Sequence, residues 1–183
     1  MEHERIERVE ITTQVELDKM GDGMIAVVRS GEFTVRGRCV TIARNCAYVK
    51  AFDGASIRAF DEAEVQLHDN SNAWLTGRSV ANAYDKSKVR AFGDSVVVAH
   101  NESKVRAFDA SMVHAHDTST VVAFDMSVVH AYDKSVAHLF DDVAATSRGC
   151  SALKAHDNST VRMFDASKVS VFDDAVVQKI KVE

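Results

Sequence analysis

Proline is absent from the 183-residue chain, and tryptophan occurs only once. Proline removes a backbone donor and is excluded from the interior of a β-sheet, so its absence allows strand pairing along the whole chain. The three cysteines, Cys39, Cys46 and Cys150, are an odd number without paired spacing. They predict reduced thiols and a cytoplasmic location. No apolar run reaches the length that spans a membrane, and the N-terminus has no apolar leader, so no membrane contact is expected.

Sequence signals of catalysis are also missing. No Gly-rich phosphate loop is present. Ser, His and Asp recur at a fixed period, so an apparent catalytic triad is expected by chance. The net charge of −5 is small for this length, which argues against a large nucleic-acid footprint. The sequence therefore predicts a protein that is not an enzyme and whose expected partner is not a nucleic acid.

The chain is instead dominated by an eight-residue repeat, Ser-x-Val-x-Ala-(Phe/His/Tyr)-Asp-x, which runs without insertion between residues 39 and 179. Residues 87–94, 103–110 and 111–118 are three copies. A short, strict period is the signature of a solenoid. We number the octad positions one to eight from the Ser. Val at position three and Ala at position five alternate with polar residues, which predicts strands with one buried face.

Position six indicates how many octads make one coil. One set of alternate octads carries mainly Phe at this position, and the other set carries mainly His or Tyr. Because like side chains stack in parallel ladders, this alternation predicts an all-β solenoid with two octads, or 16 residues, per coil. About eight coils would form a rod of roughly 40 Å. A three-sided coil of 24 residues remains an alternative, and the pattern does not define the hand.

Two domains are expected. Residues 1–38 lie outside the repeat and predict an N-terminal β cap, with strands over 9–15, 24–28 and 33–35. Residues 39–183 predict the solenoid. A cap is needed because the first coil of a solenoid leaves an open backbone edge that invites pairing with other chains.

The octad resembles the short-repeat β-solenoid arrays of uncharacterised bacterial and phage proteins. The resemblance covers roughly residues 39–179 and implies the fold, with no activity attached. Hexapeptide acyltransferase solenoids, pentapeptide-repeat DNA mimics and the Gly-rich nonapeptide of calcium β-rolls have other periods, so none of them fits the chain.

A histidine cluster is the first candidate site. In a 16-residue coil, His100, His114, His116 and His130 lie on one outer face at spacings of about 5–7 Å. Neutral imidazoles are ligands for Zn²⁺ or Ni²⁺. No carboxylate or thiolate shares the patch, so weak metal binding is the most that we expect, and no cofactor is otherwise predicted. A simple ladder of stacked aromatic rings is the alternative interpretation.

The opposite face combines cations with aromatic rings. Exposed Trp and Arg side chains are favoured anchors of protein interfaces, and a row of Phe side chains is expected to bury itself in a homodimer. Stacking on single-stranded nucleic acid or a self-supporting Phe ladder are the alternatives. The residues predicted to bind a partner are Trp74, Arg78, Lys88, Arg90, Phe92, Lys104, Arg106, Phe108, Phe124 and Phe140.

Position seven holds a column of aspartates. Stacked carboxylates are able to bind Ca²⁺ or to imitate a phosphate backbone. We expect instead that each Asp accepts a hydrogen bond within its own turn. The column contains Asp53, Asp61, Asp69, Asp85, Asp109, Asp117, Asp125, Asp133, Asp141, Asp157, Asp165 and Asp173.

These patterns predict a protein-binding or assembly module that uses its outer aromatic and basic faces, with another protein or itself as partner. Val80, Val96, Met112 and Val128 line up beside the histidines as an apolar patch of the kind that marks protein contacts. The alternatives are an inhibitor, encoded by a phage or its host, that presents acidic edges to a nucleic-acid-binding protein, and a metal-binding protein that uses its histidines.

Overall fold

The computed structural model describes residues 8–20 and 24–180. Both predicted domains therefore include residues outside the described ranges. The described part contains one short helix, α1 (Gln14–Asp18), and otherwise only strands. The strands are β1 (Arg8–Glu10), β2 (Ile25–Val28), β3 (Glu32–Val35), β4 (Val40–Ala43), β5 (Tyr48–Ala51), β6 (Ser56–Ala59), β7 (Glu64–Leu67), β8 (Asn72–Leu75), β9 (Val80–Ala83), β10 (Lys88–Ala91), β11 (Val96–Ala99), β12 (Lys104–Ala107), β13 (Met112–Ala115), β14 (Thr120–Ala123), β15 (Val128–Ala131), β16 (Val136–Leu139), β17 (Ala144–Ser147), β18 (Ala152–Ala155), β19 (Thr160–Met163), β20 (Lys168–Val171) and β21 (Val176–Lys179).

The strands form two parallel sheets that face each other. Sheet A contains β1 and the even-numbered strands, and sheet B contains the odd-numbered strands from β3 onward. Paired residues in the repeat are 16 apart, as in Val89 with Val105 in sheet A and Val97 with Val113 in sheet B. The prediction of a two-sided, all-β solenoid with a 16-residue coil is confirmed.

The number of coils was predicted wrongly, since the solenoid has about eleven turns and not eight. Sheet A alone contains eleven strands, and at about 4.8 Å per turn the rod is about 50 Å long. The sheets begin before the octad pattern does, because β2 and β3 already lie in them. Ile25 pairs with Val40, only 15 residues later (40 − 25). This shorter first coil puts residues 25–35 out of phase with the octad and hides them from a search for its period.

The core is a thin layer of small side chains between the two sheets. Val97 and Ala99, at positions three and five, have no solvent exposure, and Ser95 at position one is buried as well. The side chains at positions two and four point outward, which matches the alternation in the sequence. Burying a valine contributes roughly 1.5–2 kcal/mol, so the stability of the rod comes from many equal, small contributions.

A tight turn follows each strand and depends on an unusual backbone conformation. The carbonyl at position six accepts a hydrogen bond from the next Ser, as Ser119 N–H donates to His116 O at 3.1 Å. The residue at position seven has positive φ throughout the repeat, between 52° and 61° where it is not Gly. Gly, Asn and Asp tolerate this left-handed region best. This requirement explains why only these three residue types occupy position seven.

The aspartates at position seven bond between coils and not within their own turn. Asp117 Oδ2 accepts the N–H of Asn101 at 2.9 Å, Asp125 Oδ2 accepts that of Asp109 at 3.1 Å, and Asp133 Oδ2 accepts that of Asp117 at 3.2 Å. The predicted turn position is confirmed, but the predicted acceptor geometry is wrong. The N–H of the preceding coil lies one strand spacing away along the axis, within reach of the carboxylate, so the bonds form a ladder along the rod.

The N-terminal segment is only partly as predicted. β1 pairs with β2, and Ile11 N–H continues this pairing with Val27 O at 2.8 Å. The strand expected over 9–15 is wrong beyond Glu10, because a helix begins after Thr13. The Thr13 hydroxyl accepts the N–H of Glu16, whose carboxylate accepts the N–H of Thr13. This reciprocal capping box favours a helix over an extended strand.

The helix covers the first edge of sheet B. The Gln14 side-chain amide donates to Thr34 O at 2.9 Å and accepts from Thr34 N–H at 2.8 Å, so it occupies the backbone groups that a neighbouring strand would use. Leu17 is buried and extends the core. The segment thus blocks the open edge that would otherwise recruit another chain.

A charge placed inside the core should unfold the central coils. Val113→Asp would bury a carboxylate at a position with no solvent exposure, and we expect a loss of about 3–5 kcal/mol. Lys104→Asp, at an exposed position, should change the stability by less than about 1 kcal/mol. Thermal and urea denaturation followed by circular dichroism measure both changes. Equal stability of the two variants would contradict the observed inside and outside positions.

The aspartate ladder can be separated into its two contributions at Asp125, which has φ of 57°. Asp125→Asn keeps both the acceptor and the tolerance of positive φ, so we expect almost unchanged stability. Asp125→Gly loses only the acceptor and should cost about 1 kcal/mol, whereas Asp125→Ala also adds backbone strain and should cost about 2 kcal/mol. Urea unfolding gives the order. Equal losses for Gly and Ala would show that the left-handed turn carries no strain.

Candidate protein-binding faces

A row of cations covers the outside of sheet A. We call it the basic face and define it by Arg58, Lys88, Arg90, Lys104 and Arg106, all of which are exposed. Lys88 pairs directly with Lys104, and Arg90 with Arg106, on adjacent strands. Because neighbouring strands are about 4.8 Å apart, these like charges repel one another and oppose folding.

No internal carboxylate relieves this repulsion within the described residues. Ion pairs do form elsewhere on the surface, for example between Lys50 and Glu32 at 2.6 Å and between Arg29 and Glu10 at 2.6 Å. In the described ranges, none of the five cations of the basic face takes part in an ion pair. Their charge is therefore available to a partner, although the chain as a whole carries a net charge of −5.

Trp74 lies within the basic face and is 42% exposed. Its ring is flanked by the guanidinium groups of Arg58 at 5.3 Å and Arg90 at 5.7 Å from the ring centre. These cation–π contacts hold the ring between two charges. Arg78, predicted as a second anchor, lies instead in the turn after β8 and forms an ion pair with Glu62. Trp74 thus belongs to the basic face, whereas Arg78 belongs to the neighbouring corner.

The predicted Phe row forms a column at the corner that follows sheet A. Phe92 stacks on Phe108 with ring centres 4.8 Å apart, Phe108 on Phe124 at 5.1 Å, and Phe124 on Phe140 at 5.2 Å. Each ring is half-buried by its neighbours. The faces of the rings are therefore occupied within the column, and mainly their edges point to the solvent.

The four predicted metal ligands are divided between two stacks. His114 stacks on His130 at 4.9 Å, and His100 on His116 at 5.2 Å. His130 Nδ1 is hydrogen-bonded to Thr146 Oγ1 at 2.7 Å, and His100 Nδ1 lies 3.7 Å from Asp117 Oδ2.

Stacking turns the ring planes parallel, so their nitrogen atoms do not converge on one point. Among the residues that the structure describes, no group of three or more His, Cys, Asp or Glu side chains is placed to hold a metal ion. Weak Zn²⁺ or Ni²⁺ binding stays a prediction.

The environment of the first stack disfavours protonation. Burial, with the nearby charges of His130 and His116, lowers the pKa of His114. Burial and the charge of Arg148 lower the pKa of His130. Both imidazoles are therefore held in the neutral form near neutral pH.

The outside of sheet B differs from the basic face in having a long uncharged centre. Positions two and four of β9, β11, β13, β15 and β17 carry no Asp, Glu, Lys or Arg. Sequence analysis identified only the position-two column and the histidines. The residues at position four become visible as one surface when only alternate octads are compared. We call this surface the neutral face and define it by Val80, Asn82, Val96, Val98, Met112, His114, Val128, His130, Ala144 and Thr146.

No protein-family model, curated protein or solved structure matches the chain. In the described ranges, none of the helices has the length and apolar character needed to cross a membrane. The functional argument therefore depends on the two outer faces.

Acidification should weaken the fold through His114 and His130. Their pKa values are lowered in the folded state, so the unfolded chain binds more protons below its own His pKa of about 6.5. Stability should be unaffected above that pH and should fall as the pH drops through about 6.5 toward the folded-state values. Thermal melts at about pH 7.5 and 5.5 measure this loss. His114→Asn/His130→Asn should reduce it, and an unchanged pH dependence in this variant would contradict the assignment.

Proposed function

We propose that this protein is a non-enzymatic binding module whose basic face docks on an acidic surface of a partner protein. The observation that supports the proposal is the in-register stacking of unpaired cations on sheet A. Lys88 and Arg90 lie directly beside Lys104 and Arg106, and this arrangement destabilises the isolated chain. A partner that supplies carboxylates would relieve the repulsion, so binding and folding would favour each other.

The central part of the basic face suits a rigid, planar interface. Trp74 and the Arg side chains are the residue types that most often dominate binding energy. The Trp74 ring is already oriented by Arg58 and Arg90, so little side-chain freedom is lost when a partner docks. The backbone beneath is a continuous parallel sheet from β6 to β12. These features support recognition by a fixed pattern of charges around a central aromatic group.

A protein surface is favoured over single-stranded nucleic acid because the aromatic rings near the cations are occupied. Nucleic-acid binding of this kind requires ring faces on which bases stack. Phe92, Phe108 and Phe124 use their faces on one another, and Trp74 lies between two guanidinium groups. Carboxylates of a protein need only the cations, and Arg binds them with two parallel hydrogen bonds.

Polyglutamate is a suitable probe of the basic face, with an oligothymidine of similar charge as the comparison. We expect the wild type to bind polyglutamate with an affinity that falls as the salt concentration rises. Arg90→Glu/Arg106→Glu should weaken this binding about tenfold or more. Fluorescence anisotropy at two salt concentrations gives the affinities.

The matched control is Lys86→Glu/Lys134→Glu, which makes the same change in net charge on exposed turns outside the basic face. It should keep most of the polyglutamate affinity. Equal weakening of the two double variants would show that only the net charge matters and would refute the proposal. Tighter binding of the oligothymidine than of polyglutamate would favour a nucleic acid as the partner.

A further inference from the structure

The neutral face of sheet B lies on the side of the rod opposite to the basic face and has no covering element among the described residues. Its centre, Met112, is 36% exposed, and the valines on either side are half-buried by one another. The face is flat because it is a parallel sheet in constant register. From its shape and its charges, we propose that the neutral face binds the same face of a second copy of this chain, with the two rods antiparallel. This inference extends the proposed binding function to a second surface and a defined partner.

The charges at the two ends of the neutral face are opposite in sign. On the strand before it, Glu64 lies beside Val80. On the strand after it, Arg162 lies beside Thr146. Within the described residues neither forms an ion pair, whereas Lys50 and Glu32, further toward the N-terminal end, neutralise each other at 2.6 Å. The face therefore has one unbalanced acid at one end and one unbalanced base at the other.

An antiparallel second copy matches this distribution. A two-fold axis that runs parallel to the strands and passes over β13 sets Met112 against the partner's Met112. It also sets β7 against β19 of the other copy, because each strand is three coils from the axis. Glu64 then lies within reach of the partner subunit's Arg162, and the symmetry makes this pair twice.

The parallel arrangement lacks this complementarity. An axis along the rod would set β7 against the other copy's β7 and β19 against its β19. Each Glu64 would then lie near the partner's Glu64, and each Arg162 near the partner's Arg162. Like charges at both ends disfavour this arrangement, so the charges select the antiparallel orientation.

The size of the face indicates a weak dimer. The seven strands from β7 to β19 span about 34 Å along the rod, and positions two to six span about 16 Å, which gives about 500 Å² per copy before side-chain relief is added. Stable interfaces bury about 800 Å² per partner. We therefore expect a dissociation constant in the range of about 10–100 µM.

The basic face is a poor choice for the same role, although the Phe column beside it predicted a homodimer. Packing two basic faces together would place the cations of Lys88, Arg90, Lys104 and Arg106 against the same four of another copy. That interface would concentrate unpaired like charges where water is excluded. The neutral face carries no such cost, because its histidines are neutral when their pKa values are lowered.

Sedimentation equilibrium of the full chain at about 5–500 µM tests the dimer. Val98→Glu, in the neutral face, should raise the dissociation constant at least about tenfold. Val122→Glu is the matched control, since Val122 is also half-buried at position four, but on sheet A. It should leave the dimer unchanged. A wild type that is monomeric at the highest concentration, or equal dimerisation of the two variants, would overturn the proposal.

A charge exchange tests the antiparallel orientation. Glu64→Arg and Arg162→Glu should each weaken the dimer severalfold by placing like charges together. The double variant Glu64→Arg/Arg162→Glu restores opposite charges and should recover the wild-type dissociation constant. Additive weakening in the double variant would refute the antiparallel arrangement.

The polyglutamate experiment distinguishes this inference from the proposed function. Arg90→Glu/Arg106→Glu should lose polyglutamate binding and keep the dimer, whereas Val98→Glu should lose the dimer and keep polyglutamate binding. If Arg90→Glu/Arg106→Glu instead abolished the dimer, the second copy would bind at the basic face, and the assignment to the neutral face would be wrong.

Discussion

In-register parallel pairing with a 16-residue repeat is the constraint on which the rest of this structure depends. Backbone groups of one coil bond to the coil before it, as Val96 N–H donates to Ser79 O at 3.0 Å and Met112 N–H to Ser95 O at 2.9 Å. This pairing stacks each octad position on itself at about 4.8 Å. A side chain therefore has nearly the same neighbours along the whole rod, and residues of one kind form columns and not clusters.

Such columns are favourable or costly according to chemistry. Stacked Val and Ala exclude water, stacked rings at position six cover one another, and position-seven aspartates bond to the N–H of the coil before. Stacked cations gain nothing from the same register. The basic face is the part of the rod that conflicts most with this constraint, and the neutral face is the outer surface that carries the least charge. The proposed functions follow from this contrast between the two sides of one thin molecule.

Much of the fold is predictable from local patterns, whereas the cap and the lateral bonds are not. Alternation around Val97 and Ala99 and the change of residue type at position six were sufficient to predict the strands and the 16-residue coil. The first coil escaped because its 15-residue spacing breaks the phase at Ile25. The bond from Asn101 N–H to Asp117 was missed because its partners lie in different turns, and turn propensities describe contacts only within one turn.

The sequence by itself determined which side chains point inward, which residues allow the left-handed turn and which octads share a face. Those properties depend on the period and on steric limits that act within a few residues. Only the tertiary structure decided that His100 and His114 belong to separate stacks, that Trp74 is held between Arg58 and Arg90, and that Gln14 occupies the edge of β3. These contacts depend on side-chain orientation between coils, which is set by packing and not by the identity of the neighbouring residues in the chain.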